Sequence, residues 1–222
     1  MAMLTRSIED YLKIIYRLQR GEAAVTTNAI AGAMAVSPAS ASNMIKKLAR
    51  LRLVEHTPYR GVALTPTGEK VALEVIRHHR LLELYLSQAL GVSLERVHQE
   101  AERLEHVLSE DLEEKIAASL GQPTHDPHGD PIPGRDGTVH DPRYPLLSDL
   151  RAGQGGTIVR VSDRDPDVLR DLAEAGLLPG TEVRVVGVGG DGSVRLRAEG
   201  AEQHLSRRLA DAVHVAASST PR

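Results

Sequence analysis

Residues 37–64, SPASASNMIKKLARLRLVEHTPYRGVAL, contain the signals that decide the fold of the N-terminal part. Ser37 before Pro38 is typical of a helix start, because the serine side chain caps free amides and proline has no amide to leave unpaired. Apolar residues at helical spacing then predict a helix that ends near residue 51. Its buried stripe is predicted to contain Ala41, Met44, Ile45, Leu48 and Leu51.

The opposite face of this helix carries short polar side chains first and cations later. Such a face is typical of a DNA-recognition helix, because small groups let the helix enter the major groove, an amide can read a base edge and cations meet phosphates. The alternative interpretation is the solvated face of a structural helix. The residues assigned to DNA contact are Ser37, Pro38, Ala39, Ser40, Ser42, Asn43, Lys46, Lys47 and Arg50.

The neighbouring segments favour the DNA-binding interpretation. Upstream, periodicity predicts a helix that is capped by Ser7 and ends before Gly21, and a short helix that is capped at Thr26 or Thr27. Downstream, residues 53–55 and 62–64 are typical of two strands around a loop that contains Arg60. This order predicts a winged helix-turn-helix with Arg60 in its wing.

The rest of the chain predicts a helical segment and a small β domain. Two long helices are expected, from Pro66 to about Leu90 and from Ser93 to about Leu120, whereas the Pro, Gly, His and Asp content of residues 121–144 indicates a linker with turns. Later β-branched runs at 156–161, 181–186 and 193–197, with a short helix around 167–175, predict a partly open SH3-like β-barrel.

The predicted fold is therefore mainly α with small β parts. Its domains are a winged helix-turn-helix domain at 1–70, a helical domain at 71–122, a linker at 123–144 and an SH3-like domain at 145–216.

Composition and charge limit the function. The 222 residues include no cysteine, which excludes thiolate nucleophiles, iron–sulfur clusters and cysteine-based zinc sites. Residues 1–70 hold 10 Lys and Arg against 5 Asp and Glu, although the whole chain has a net charge of −3. The basic N-terminal part suits DNA. No apolar run approaches the length of a membrane span and the first residues do not form a signal peptide, so we expect a cytoplasmic protein without membrane contact.

Carboxylates and histidines recur at helical spacing in the two predicted long helices. The first group, Glu102, Glu105 and His106, is expected to converge at one point, and Asp10 on the first helix could complete it. The second group is expected to meet across the helix pair and contains His79, Glu83 and His98. A solvated helix face is the alternative for any single pair. Clustered carboxylates need a cation or a proton, and a thiolate-free, oxygen-rich set suits Mn(II), Fe(II) or Co(II).

Four segments give the chain a specific resemblance. They are GVALTPTG at 61–68, RHHRLLE at 77–83, VHQEAERLEH at 97–106 and HGDPIPG at 128–134. The chain resembles the diphtheria toxin repressor family of metal-dependent transcriptional regulators over nearly its whole length. The resemblance implies a homodimer with a winged-helix head, a helical dimerisation and metal domain, and an SH3-like tail. It also implies a primary, activating metal site and an ancillary site. The primary site would comprise Asp10, Glu102, Glu105 and His106, and the ancillary site His79, Glu83 and His98.

The chain departs from the family pattern at the metal ligands. Iron-sensing relatives have Met and Cys where this chain has Asp10 and Glu102, which favours manganese. Short manganese sensors carry a second acidic ligand at the position of Lys13, and an ammonium group cannot ligate. In long relatives the tail also donates to the ancillary metal. Alignment makes Asp165 the expected donor here, with Asp163 and Asp167 as neighbours, but the second donor position falls on Val168.

These features predict a metal-dependent regulator that binds a palindromic double-stranded DNA operator as a homodimer. Mn(II) is the expected activator, Fe(II) the alternative, with up to two ions per subunit, and metal-uptake genes are the expected targets. A repressor is expected and an enzyme is not. Two other hypotheses are a dinuclear metallohydrolase, since such enzymes also use carboxylate and histidine clusters, and a winged-helix regulator that responds to an organic ligand.

Overall fold

The computed structural model describes residues 4–19, 24–57 and 60–217. The predicted helix end at Gly21 and the wing residues 58 and 59 lie outside these ranges. The chain divides into two compact units, each with its own hydrophobic core. The first unit comprises Met1–His79, Glu105–Ser109 and Pro133–Thr138, and the second comprises Arg80–Leu104, Glu110–Ile132 and Val139–Arg222.

The first unit contains the helix-turn-helix and the wing. Its elements, in order, are α1 (Arg6–Gln19), α2 (Thr27–Ala33), α3 (Pro38–Arg50), β1 (Val54–Thr57), β2 (Gly61–Leu64) and the start of α4 (Pro66–Leu90). Strands β1 and β2 pair antiparallel with Val54 opposite Leu64. Helix α4 continues without interruption into the second unit, and the division between the units falls after His79.

Side-chain caps and apolar stripes explain these helices. The Thr26 hydroxyl accepts a hydrogen bond from the Ala29 amide at 3.1 Å, and the Ser37 hydroxyl accepts one from the Ser40 amide at 3.2 Å, which confirms both caps. The stripes bury Ile8, Tyr11, Leu12 and Ile15 of α1, and Ala41, Ile45 and Leu48 of α3.

Two details of the predicted helices are wrong. Helix α1 begins at Arg6, so Ser7 lies inside its first turn instead of capping it. Leu51 is exposed, although it was expected in the core. It is the C-cap of α3, and Arg52 follows with a φ of 57°, so the chain leaves the helix before Leu51 can follow the buried stripe.

The second unit contains the rest of α4, four further α-helices and the C-terminal sheet. Its other elements are α5 (Leu94–Leu104), α6 (Glu110–Ser119), β3 (Gly155–Val161), α7 (Pro166–Glu174), β4 (Glu182–Val188), β5 (Val194–Ala198), β6 (Ala201–Leu205), α8 (Arg207–Ala210) and β7 (Val213–Ala217). The five strands form an antiparallel sheet in the order β6-β5-β4-β3-β7. This sheet confirms the small β domain, although β6 and β7 were not predicted as strands.

The single helix predicted from residue 93 to 120 is wrong. A turn at 105–107 separates α5 from α6. The main-chain oxygen of Glu105 lies 3.2 Å from Nδ1 of His78, so an imidazole occupies the acceptor that a continuing helix would need. The turn belongs to the first unit, while both helices belong to the second. Among the described residues, no helix is both long and apolar enough to cross a membrane.

Candidate metal centre and nucleic-acid interface

Helix α1 and the turn at 105–107 bring three predicted ligands together in the first unit. Asp10, Glu105 and His106 each offer one ligand atom, and these atoms lie within 4.8 Å of one another. Nε2 of His106 is 2.9 Å from Oδ1 of Asp10 and 3.2 Å from Oε1 of Glu105. Asp10 and this turn are far apart in the sequence. They come together because α1 and the turn belong to the same compact unit.

The orientation of His106 suits a metal ligand. Its Nδ1 lies 2.6 Å from Oε2 of Glu9, and a proton on Nδ1 would be held by that carboxylate. Its buried Nε2 has no hydrogen-bond partner, because the nearby carboxylates are close but not placed for a hydrogen bond. A neutral imidazole that donates through one nitrogen presents the lone pair of the other. The residues present therefore fit a divalent cation.

The negative charge of Glu105 is also compensated by other side chains of the protein. Oε1 of Glu105 lies 2.5 Å from Nζ of Lys13, and Oε2 is hydrogen-bonded to Nδ1 of His79. Burial raises the pKa of Glu105, but the hydrogen bonds and charges of His79 and Lys13 outweigh it and leave the pKa below its ordinary value. Glu105 is therefore ionised at neutral pH, as a ligand must be.

Sequence reasoning missed several of these contacts. Glu9 was not considered, Lys13 was treated only as a position that cannot ligate, and His79 was assigned to the ancillary set alone. Glu9 and Lys13 are four residues apart on α1 and flank Asp10, which is a signal that could have identified both. Contact between His79 and Glu105 gave no signal in the sequence, because it depends on the path of the chain after α5.

Glu102 lies in the second unit, on α5. Its side chain is 43% exposed, and its Oε1 is 3.8 Å from Nε2 of His98. Its place among the primary ligands stays a prediction.

Of the other predicted ligands, His79 lies in the first unit, and Glu83, His98 and Asp165 lie in the second. Oε1 of Glu83 on α4 is 3.0 Å from Nδ1 of His98 on α5. Oδ2 of Asp163 is 3.7 Å from the same nitrogen. Asp165, the expected tail donor, caps α7 through the amides of Asp167 and Val168 and pairs with Arg208 at 3.2 Å. The aspartate beside His98 is therefore Asp163.

The predicted DNA-contacting face is presented to solvent. Asn43, Lys46, Lys47 and Arg50 are exposed along α3, and Ser42 is half-buried. Residues 37–40 form the exposed first turn and its cap. Arg60 is exposed at the described end of the wing loop. Polar groups at the helix start and cations towards its end are thus available to base edges and phosphates.

Three family models cover most of the chain. Residues 3–62 match the iron dependent repressor N-terminal DNA binding domain, and residues 65–134 match the iron dependent repressor metal binding and dimerisation domain. Residues 146–217 match the FeoA domain, in agreement with an SH3-like fold. The matches to a DNA binding domain, to a metal binding and dimerisation domain and to a FeoA domain therefore follow one another along the chain.

Full-length relatives have the same organisation. The diphtheria toxin repressor of Corynebacterium glutamicum is 32% identical, with 97% of this chain and 98% of the relative covered. The iron-dependent repressor IdeR of Mycobacterium tuberculosis is 32% identical over 86% of this chain and 89% of its own. A solved structure described as a manganese-dependent transcriptional repressor in complex with manganese is 39% identical and superposes with a TM-score of 0.87 over 95% of this chain and 100% of its own.

These matches decide between the hypotheses. The relatives are transcriptional repressors and not enzymes, which sets the metallohydrolase hypothesis aside. They are also metal-dependent, which sets aside the hypothesis of a winged-helix regulator that responds to an organic ligand. The chain belongs to the diphtheria toxin repressor family of metal-dependent, DNA-binding transcriptional regulators.

Proposed function

We propose that Mn(II) activates this chain to bind a palindromic operator as a homodimer and to repress metal-uptake genes, with Fe(II) as the alternative metal. The observation that carries the proposal is the buried Nε2 of His106, which lies without a hydrogen-bond partner between the carboxylates of Asp10 and Glu105. Such a nitrogen is costly to bury unless it binds something.

The ligand chemistry supports manganese. Carboxylate oxygens from Asp10 and Glu105 with one imidazole form a hard donor set, which suits Mn(II) better than a sulfur-containing set would. The similar structure at 39% identity is described as a complex with manganese, whereas the similar repressors from Corynebacterium and Mycobacterium include proteins described as iron-dependent. We therefore place Mn(II) first and Fe(II) second.

Two ligand sets follow from this proposal. The primary set comprises Asp10, Glu102, Glu105 and His106. The ancillary set comprises His79, Glu83 and His98, and here Asp163 takes the role that the sequence had assigned to Asp165, because Asp163 lies beside His98.

The primary set explains how metal could control DNA binding. Asp10 lies on α1, which packs in the same core as α2 and α3, whereas Glu105 and His106 lie on the turn that follows α5. A bound divalent cation supplies positive charge that neutralises the facing carboxylates. Asp10 is then held towards the turn, and α1 fixes the recognition helix through the core that the two helices share with α2. A coupling of about 1–3 kcal/mol would change operator affinity by roughly 5–150-fold.

A homodimer explains the expected palindrome. Leu90 and Leu104 are exposed in the second unit, within the stretch that matches the dimerisation domain. Burial of such leucines against a second copy would stabilise a dimer. Two copies present two recognition helices, which suit half-sites about one helical turn of DNA apart, roughly 34 Å.

The test begins by selecting a binding sequence from random double-stranded DNA in the presence of Mn(II). Retardation of that sequence is then titrated with Mn(II), Fe(II), Co(II) and Zn(II) at fixed salt. His106→Ala should abolish the metal-activated retardation and leave a folded dimer. His204→Ala is the matched control, because His204 is exposed on β6 and outside both ligand sets.

The proposal fails if His106→Ala retains the metal response of the unmodified protein. It also fails if retardation does not depend on any of the four metals.

A further inference from the structure

Helix α1 is bonded to the wing through one side chain. Oε1 of Gln19, the last described residue of α1, accepts a hydrogen bond from the amide of Leu64 on β2 at 3.0 Å. The two residues are 45 positions apart in sequence, and both are half-buried. The helix that carries Asp10 and the strand that follows Arg60 are therefore in direct contact.

The main-chain pattern of β2 explains why the amide of Leu64 takes a side-chain acceptor. Val62 exchanges two main-chain hydrogen bonds with Val25, each at 2.8 Å, on the edge of β2 that faces away from β1. Main-chain groups of residues two apart point to the same edge of a strand, so the amide of Leu64 faces that edge too. Val25 forms only an isolated bridge there, and Gln19 supplies the acceptor that a further strand would have supplied.

Arg60 lies at the other end of the same strand. Its amide donates to the carbonyl of Thr57 at 3.0 Å, and β2 begins at the next residue. The arginine is thus attached to the strand whose far end is bonded to Gln19. A change in the position of Leu64 therefore changes the position of Arg60.

Helix α1 can carry a displacement from Asp10 to Gln19. The two residues are nine positions apart on one uninterrupted helix, which is about 14 Å along its axis. Between them, Leu12 and Ile15 are buried in the core that also contains Val62. A continuous, packed helix moves as a rigid element over this length.

We propose that Gln19 is a positioning residue for DNA binding, which passes the metal-dependent position of α1 to the wing and so places Arg60 against a phosphate. This inference rests on the proposed function, in which metal holds Asp10 towards the turn at 105–107. Metal then acts on two DNA-contacting elements, on the recognition helix through the shared core and on the wing through this hydrogen bond. A phosphate contact carries no base information, so Gln19 sets affinity and its salt dependence but not the consensus.

Hydrogen exchange with and without Mn(II) tests the connection inside the protein. In the unmodified chain, Mn(II) should slow exchange of the Leu64 amide together with that of the α1 amides. Gln19→Met keeps the side-chain length and removes the acceptor, so Leu64 should exchange about fivefold faster, as expected for the loss of one hydrogen bond. In this variant Leu64 should no longer respond to Mn(II), although α1 still does. Gln19→Glu keeps an Oε acceptor and should restore both properties.

The salt dependence of DNA retardation tests the connection to the wing. At saturating Mn(II), Gln19→Met should reduce the slope of log affinity against log salt by about 0.9, the value for one phosphate contact, and Arg60→Ala should do the same. The double variant should lose no more than either single variant, because both substitutions remove one and the same contact. The sequence selected from random DNA should stay unchanged in all three.

Gln203→Met is the matched control. Nε2 of Gln203 donates to the carbonyl of Ala175 at 3.0 Å, a hydrogen bond between a glutamine side chain and the main chain that lies in the second unit. Its loss should leave the salt slope and the exchange of Leu64 as they are in the unmodified chain.

Three results would overturn the inference. The first is an unchanged salt slope in folded Gln19→Met. The second is an additive loss in the double variant, because Gln19 would then act on a contact other than that of Arg60. The third is exchange of Leu64 that does not respond to Mn(II) in an unmodified chain whose α1 does respond, and this measurement needs no variant.

The same samples separate this inference from the proposed function. The proposed function fails if Mn(II) neither slows exchange of α1 nor activates DNA retardation by the unmodified chain. The inference alone fails if both effects occur and Gln19→Met behaves like the unmodified chain.

Discussion

Replacing Lys13 by methionine should destabilise the first unit in the absence of metal. Nζ of Lys13 lies 2.5 Å from Oε1 of Glu105, and the two side chains are 3% and 0% exposed. Removal of one partner from a buried ion pair costs about 3–5 kcal/mol, because the other charge stays buried without compensation. His79 still bonds to Glu105, so we expect the lower end of this range, about 3 kcal/mol.

Hydrogen exchange of the α1 amides in the presence of a chelator measures this loss in the first unit alone. A loss of about 3 kcal/mol corresponds to roughly 150-fold faster exchange. The double variant Lys13→Met/Glu105→Gln should recover much of it, because the uncompensated charge is gone.

Lys115→Met is the matched control for this prediction. Lys115 lies 2.6 Å from Asp111 on α6, a nearly identical distance, but the two side chains are 69% and 77% exposed. Water screens such a pair, so its loss should cost less than about 1 kcal/mol. Unchanged exchange of α1 in Lys13→Met, or an equal effect of both substitutions on their own helices, would refute the reasoning from burial.

The other predictions concern acid stability, metal preference and DNA contact. The metal-free first unit should lose stability in an acid titration as the pH falls below about 4.3, because the lowered pKa of Glu105 makes the folded state bind a proton less readily than the unfolded chain. The variant Glu105→Gln should lack this part of the acid transition. Glu102→Cys should shift activation of DNA retardation from Mn(II) towards softer metals, and an identical metal ranking would contradict this. Asn43→Ala should change the selected consensus at a cost of about 1–3 kcal/mol, whereas Arg60→Ala should keep the consensus and reduce the salt dependence by about one phosphate contact. Binding-site selection at two salt concentrations distinguishes these two, and an unchanged consensus with an unchanged slope would mean that neither residue contacts DNA.

Local sequence determined the helices of the head and most of the candidate ligands. The cap at Ser37, proline at the first helical position and the stripe of Ala41, Ile45 and Leu48 are short-range signals, and the structure has the helix that they predict. The grouping of Asp10 with Glu105 and His106 was also predicted, and the family motif carries that prediction, because Glu105 and His106 lie on a turn where helical spacing does not apply. Such signals depend on neighbours within a few positions, which the sequence displays directly.

Only the tertiary structure decided how the ligands are paired and where the helices end. The turn after α5 contains no glycine or proline from which it could be predicted. It forms where the carbonyl of Glu105 contacts His78 and the carboxylate of Glu105 contacts Lys13, 92 residues away in sequence. Glu83, Asp126 and His128, whose ligand atoms lie within 4.8 Å of one another, likewise come together only because the turn at 126–130 bonds to β3. Burial and charge compensation are properties of the neighbours that folding supplies, so the spacing of residues along the chain cannot specify them.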